Sequence, residues 1–368
     1  MTKGKSIHSK RNLILNIIMI AALIGFLIWG QETRGFGTYN RRIFMTCCVY
    51  AICALSMNMV NGFTGLFSLG QPGFMAIGAY VVAILTVPTE DKIAIYKIAP
   101  ISDFMANLHA PFFVALIIGG VIAAAFAFLI GFPVLRLKGD YLAIATLGFS
   151  EMIRIFITNA QGVTNGPTGI NRIPNDYMNM YVLCGILVLI IAFMLAFMKT
   201  SYGRAMLAIR EDEVAAEAMG INLFKNKMLA FVLSGFFAGI GGGLLASLVG
   251  AIGPDQFKFT VAYDILLMVV LGGQGSVSGT VVGAFIVRIA LEKLRFLDEP
   301  INFGFFQYPG IGGMRMVVFS ALLMLVIILW RRGIFGNKEF SWDGFFAVIG
   351  RIVNFFKRLF GKKKEVAK

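Results

Sequence analysis

The run YDILLMVVLGGQGSVSGTVVGAFIVRIA, residues 263–290, decides how this chain is threaded. It is longer than the roughly 20 residues that one helix needs to cross a bilayer. Its centre, residues 271–279, holds four glycines, two serines and a glutamine. Glycine weakens a helix, and unpaired backbone polar groups are not tolerated against lipid. Such a centre must be buried in protein or line a cavity. The run therefore reads as a hairpin that enters and leaves on one side, either as two short helices or as a re-entrant loop.

Eight further apolar runs surround it, at about 12–30, 43–60, 66–87, 111–135, 141–158, 181–198, 229–250 and 310–330. The chain has 368 residues, of which 58% are hydrophobic and 14% charged. Its mean hydropathy is +0.80. A soluble domain of this size cannot hide so much apolar surface. The runs are continuous and not alternating, which excludes a β-barrel. The fold class is an all-α polytopic membrane protein. It has about eight full transmembrane helices plus the glycine-rich hairpin, eight to ten segments in all.

Charge orients it. The net charge is +14. Lys3, Lys5, Lys10 and Arg11 open the chain without an acid, and residues 331–368 carry ten basic and three acidic residues. Basic residues beside spans mark the cytoplasmic side, so both termini are expected there. This is not a nucleic-acid footprint. Nine simple crossings would separate the ends; the hairpin restores parity. Residues 136–140 and 199–228 then face the cytoplasm, and residues 88–110 and 159–180 the opposite side. The chain divides into a basic N-terminus with a first, uncleaved span (1–42), a membrane domain (43–330) that contains the loop 199–228, and a basic amphipathic cytoplasmic tail (331–368). Within the tail, residues 342–359 repeat aromatic and aliphatic positions at helical spacing and suit the inner leaflet lipid. Cys47, Cys48, Cys53 and Cys184 lie in apolar runs without CxxC spacing, so no metal site or disulfide is expected. Gly235, Gly239 and Gly243 recur every fourth residue, as in helices that pack backbone to backbone in lipid.

Residues 199–228, KTSYGRAMLAIREDEVAAEAMGINLFKNKM, form a charged, helix-favouring loop between two spans. Glu211, Asp212 and Glu213 suit a helix N-terminus. Ala215, Ala216 and Ala218 keep one surface thin, and Gly220 is placed to end the helix. Arg210 and Glu217 add charge. By physics alone, the loop is a knob for a partner's groove or a plain connector. Residues 58–80 form a second group, with Asn58, Asn61, Thr64, Ser68 and Gln71 among five glycines and Pro72. Together with Gly272, Gly273, Gln274 and Ser276 they are pathway candidates, since broken helices aim free backbone groups at a solute. Packing kinks are the alternative. Glu151 and Arg154, three apart on one face, with Asp264 and Arg288, are gate or scaffold. The polar loop 159–174 holds Thr164, Asn165, Gly166 and Thr168.

The segment AAEAMG, residues 215–220, resembles the coupling-helix motif of ABC importer permeases, although Val214 stands where a Glu is usual. The surrounding GRAMLAIREDEVAAEAMGIN, with NGFTGLFSLGQPGFMAIGAY (61–80), LRLKGDYLAIATLGFSEMIR (135–154), TNGPTGI (164–170) and VLGGQGSVSGTVVGAF (270–285), resembles permeases of branched-chain amino acid importers, M-type (LivM) subunit. That resemblance implies a transporter subunit, not an enzyme, in a bacterial inner or plasma membrane. It implies an H-type permease partner, two ABC ATPases that bind ATP and Mg, and an extracytoplasmic substrate-binding protein. Residues 164–168 would then face the binding protein. No cofactor is expected in this chain: Gly4-Lys5-Ser6 lacks the upstream glycine of a phosphate-binding loop. A urea or short-amide permease is the alternative substrate class. An ion-driven secondary transporter wants a mid-membrane carboxylate, and such acids are scarce here.

Overall fold

The computed structural model describes residues 37–96, 100–137 and 139–298, with isolated positions outside these ranges. Runs 12–30 and 310–330, apart from a few positions, and the expected tail helix 342–359 lie outside the described residues. Two compact units are present, Gly37–Asn337 and Met1–Phe36 with Lys338–Lys368. The first holds everything described below.

The chain folds as α1 (Thr38–Asn58), α2 (Gln71–Thr86), α3 (Thr89–Ile95), α4 (Asp103–Ala106), α5 (Phe112–Val134), α6 (Asp140–Asn159), α7 (Gln161–Thr164), α8 (Met180–Met198), α9 (Ser201–Glu211), α10 (Glu213–Ala218), α11 (Leu223–Val249), α12 (Phe259–Gly272) and α13 (Val277–Lys293). A two-residue antiparallel ladder pairs Ile301–Asn302 with Gln307–Tyr308. Among the described residues, five helices are long and apolar enough to cross a membrane: α1 with its π-turn extension Met59–Phe63, α5, α6, α8 and α11. The run at 66–87 is not one straight span. Its helix starts only at Gln71, after an irregular stretch, and turns by 119° into α3. The expected total of about eight crossings includes the two runs outside the described residues.

Two spans are central and three peripheral. The apolar windows of α1 and α11 are 72% and 78% buried, against 28–33% for α5, α6 and α8. Exposed Ile117, Leu129, Ile144, Phe156 and Leu189 form the outward face of the peripheral helices, as a lipid-facing surface requires. Glycine lets α11 sit at the centre. A Cβ on Gly235 would meet the Ala127 Cβ at 2.5 Å, one on Gly239 the Ala123 Cβ at 2.6 Å, and one on Gly243 the Val82 Cγ2 at 2.6 Å. The four-residue glycine spacing is thus a close-packing face toward α5 and α2.

The run at 263–290 is a hairpin of two helices, α12 and α13, joined at 273–276. Gly273 (φ 117°) and Gly275 (φ 85°) make the turn with a left-handed backbone. Ser276 Oγ accepts from Gly279 N (3.0 Å) and starts α13. Ile334 N and Phe335 N donate to the carbonyls of Leu271 and Gly272 (2.9 and 3.1 Å), which satisfies the open end of α12.

Connectivity defines two ends. The near end carries the loop between α8 and α11, the hairpin turn and residues 333–336. The far end carries the connections 87–111 and 160–179, which meet: Tyr96 Oη donates to Val163 O (2.6 Å), and Arg172 pairs with Asp91 (2.8 Å). There, buried Lys92 gathers the loop after α3 by donating to Leu108 O (2.6 Å), Met105 O and Ala106 O. Cys47, Cys48, Cys53 and Cys184 are all free and buried.

Candidate functional site

The near end concentrates the unusual backbone. α1 loosens into the π-turn Met59–Phe63, a local defect often found at functional sites. Asn58, fully buried, bridges to the hairpin turn: its Nδ2 donates to Ser276 O (3.1 Å) and its Oδ1 accepts from Gly275 N (2.9 Å). Asn61 clasps the irregular stretch below in the same two-armed way, donating to Ser68 O (3.2 Å) and accepting from Ser68 N (3.1 Å). Thr64 donates to Val60 O. Gln71 points deeper, where Nε2 donates to Ser234 Oγ (2.7 Å) and Oε1 accepts from Ser56 Oγ (2.9 Å), tying α1, α2 and α11. Ser56 and Ser234 were not singled out from sequence; lone serines inside apolar runs are their only signal. The polar side chains of residues 58–71 thus bond to backbone, and through Gln71 to Ser56 and Ser234. Each buried group has a partner, as it must.

The loop between the spans folds as two short helices. Thr200 Oγ1 caps α9 by accepting from Gly203 N (3.3 Å). Asp212 Oδ1 caps α10 by accepting from Val214 N (2.8 Å) and Ala215 N (3.0 Å). Gly220, at φ 83°, turns the chain out of α10, and Asn222 caps α11 by accepting from Lys225 N (3.0 Å). Glu213 pairs with Lys227 of α11 at 2.7 Å. Ala216 faces inward and is 4% exposed. Ala215, Glu217 and Ala218 face solvent. So do Val214, 78% exposed, and Met219, 83% exposed, which give α10 an apolar tip. Glu211 is exposed and pairs with Arg210 (2.8 Å).

Arg210 joins the two groups. Its Nη1 donates to Gly62 O (3.0 Å), 148 residues away in sequence. A Cβ on Gly65 would meet the Arg210 Cγ at 2.9 Å, and one on Gly275 would run into its Nη1. The guanidinium is a wedge between the broken end of α1 and the hairpin turn, and only glycines admit it. With Asn61, Phe67 and Gln274 it lines a cavity of about 350 Å³. Asn58, Asn61, Gln274, Ser276 and Arg210 are therefore one cluster. Gly272 and Gly273 lie behind it, against Gly279 and Gly336.

At the far end, Thr164, Asn165 and Gly166 are turned into the protein, and Pro167 and Thr168 are exposed. Asn165 Nδ2 donates to Gly169 O (2.7 Å), and Ile170 bridges to Ile252. The loop is a compact knot with a small exposed crest. Glu151 pairs with Arg154 (2.7 Å), and its other oxygen accepts from Phe259 N (2.9 Å), the first residue of α12. It anchors the start of the hairpin. Glu151→Ala is expected to cost about 1–3 kcal/mol of stability, measured by thermal unfolding in detergent, since it leaves a helix-end N–H and a guanidinium without their acceptor.

A family described as "Branched-chain amino acid transport system / permease component" matches residues 39–329, which takes in both broken helices, the wedge and the knot. The chain belongs to this family. It is 33% identical over 316 residues to the high-affinity branched-chain amino acid transport system permease protein LivM of Escherichia coli (strain K12), covering 77% of this chain and 66% of that protein. Identity to LivM of Salmonella typhimurium is 32% with the same coverage. Identity to the permease protein LivH of Escherichia coli (strain K12) is 25% over 304 residues, or 79% of this chain and 92% of that one. The chain thus spans just under two thirds of the length of the two LivM proteins. No solved structure matches it.

Proposed function

We propose that this permease supplies one half of an ATP-driven import pathway for branched-chain amino acids. The observation that carries the reading is the Arg210 wedge, because it gives the α9–α10 loop a rigid grip on the two glycine-rich breaks. The near end is cytoplasmic. Two ABC ATPases bind the cytoplasmic loops of the two permease subunits, one of them on the α10 tip, with Val214 and Met219 as its apolar anchors. ATP and Mg are bound by those partners. Motion of α10 passes through Asp212 and Arg210 to the joint at Gly62 and Gly275, which closes or opens the cytoplasmic end. An H-type permease subunit completes the pathway. An extracytoplasmic binding protein loads it at the far end, against the crest at Thr168.

Co-expression with the two ATPases, followed by reconstitution with the binding protein in proteoliposomes, tests this. ATP-dependent leucine uptake is the expected result. Val214→Asp and Met219→Glu leave the permease folded, since both positions are exposed, and each lowers ATPase retention on the order of tenfold, as loss of one interface anchor does. Leucine uptake that needs no ATPase would overturn the proposal. Uptake of urea in place of leucine would overturn its substrate class.

A further inference from the structure

A second, larger cavity opens at the far end, opposite the wedge. It has a volume of about 570 Å³, a size typical of small-molecule sites. One wall is the first half of α1, from Tyr39 to Tyr50. At 1.5 Å rise per residue, the cavity reaches about 16 Å along that helix toward the middle of the bundle. The other walls are the end of α11 and the end of α13.

Its chemistry is asymmetric. Arg288 of α13 lies over the Tyr50 ring at 4.2 Å, at the inner limit of the cavity. Its Nε is buried and has no hydrogen-bond partner. Asp264, on the other helix of the hairpin, is near enough to interact electrostatically, but it closes no ion pair with Arg288. The Arg288 Nε is closed off from the cavity; the rest of the half-buried guanidinium lines it and offers N–H donors to an anion that enters. Arg42 adds a second guanidinium at the exposed rim. On the same side Glu292 lines the cavity with Arg295; its Oε1 accepts from Tyr39 Oη (3.0 Å) and lies 3.6 Å from Arg295, and neither of these contacts uses its second oxygen. Between the charges the wall is aliphatic, formed by Ile43, Leu245 and Val249.

A carboxylate acceptor, an ammonium acceptor and an aliphatic wall together match a zwitterionic α-amino acid with a branched apolar side chain. We infer that this cavity is the first membrane-side receiving site for the amino acid, with Arg288 and Arg42 taking its carboxylate and Glu292 its ammonium. The inference rests on the proposed import function and adds a location and a recognition chemistry to it. A phosphate headgroup of an anionic lipid shares the carboxylate's affinity for the two arginines, and the test separates the two.

The test uses the assembled complex in nanodiscs and a photoreactive diazirine analogue of leucine, with adducts mapped by peptide mass analysis. Wild type is expected to carry adducts on α1 near Ile43 or on α11 near Leu245. Free leucine should compete; isoamylamine, which lacks the carboxylate, should not. Arg288→Gln is expected to lower labelling at least tenfold, and Arg288→Lys to lower it less. Arg42→Gln, at an exposed position that folding does not need, should also lower it. Labelling unchanged in both Gln variants, or adducts mapped elsewhere, overturns the site. So does labelling abolished by phosphatidylglycerol but present in phosphatidylcholine alone, which would assign the arginines to lipid. Leucine import by wild type without labelling of this cavity refutes the site alone. Absence of ATP-dependent leucine import refutes the underlying function.

Discussion

Arg210→Ala is expected to lower ATP-driven uptake on the order of 100-fold while the ATPases stay bound and continue to hydrolyse ATP. The proposed docking tip, Val214 and Met219, does not include Arg210, so on that proposal binding and transmission are separable. What the substitution removes is the wedge: one charge-assisted bond to Gly62 O and the steric fill between Gly65 and Gly275. Coupling free energies between linked sites are about 1–3 kcal/mol, or about 5–150-fold, and this is the one described side chain that reaches from the loop into both broken helices. Arg210→Lys keeps the charge and loses the planar fork, so partial activity is expected. The measurement is paired: leucine counts in proteoliposomes against phosphate release in the same sample. Equal loss of both would show that Arg210 acts in docking and not in transmission.

Gly242→Ala is expected to prevent accumulation of folded protein. Here the added methyl meets the backbone of Met75, with its carbonyl carbon at 2.6 Å and Cα at 2.8 Å, and no rotamer change can move a main chain aside. Ordinary overpacking costs about 1–3 kcal/mol where side chains can yield. At this contact a cost of at least about 3 kcal/mol is expected, a large share of the roughly 5–15 kcal/mol that holds a typical domain together. The check is the monodisperse peak on size exclusion in detergent, with thermal unfolding of whatever remains. Gly148→Ala and Gly185→Ala are the controls, since a Cβ at either meets nothing within 4 Å. They should leave the peak unchanged.

These two positions also mark what sequence could and could not convey. The Gly235, Gly239 and Gly243 spacing announces a close helix pair, because residues four apart share a face. The glycine-rich centre of 263–290 announces a break, because such backbone cannot lie against lipid. Both features are local, and the structure contains both. Arg210 and Gly62 are separated by 148 residues, and no periodicity relates them; the helical character of the loop is legible in its sequence, and its contact with the end of α1 is not. The sequence groups Ala215, Ala216 and Ala218 as one thin surface; Lys227 and Glu213 pair, and Ala216 faces inward while Ala215, Ala218, Val214 and Met219 face solvent. The resemblance implies that Thr164, Asn165, Gly166 and Thr168 face a binding protein; Thr164, Asn165 and Gly166 are buried, Thr164 and Asn165 hold the knot, and Thr168 stays exposed. The far-end cavity draws on positions 42, 245 and 288, which lie on three helices and share no motif.

The seclusion of all four native cysteines has a practical use. Thiol-directed reagents need an accessible sulfur, and an introduced one at an exposed site such as Met219→Cys would be the preferred target on a chemically quiet background. Fluorescent or spin probes could then follow α10 through the proposed nucleotide cycle in the otherwise native sequence, with no cysteine-free variant to build first.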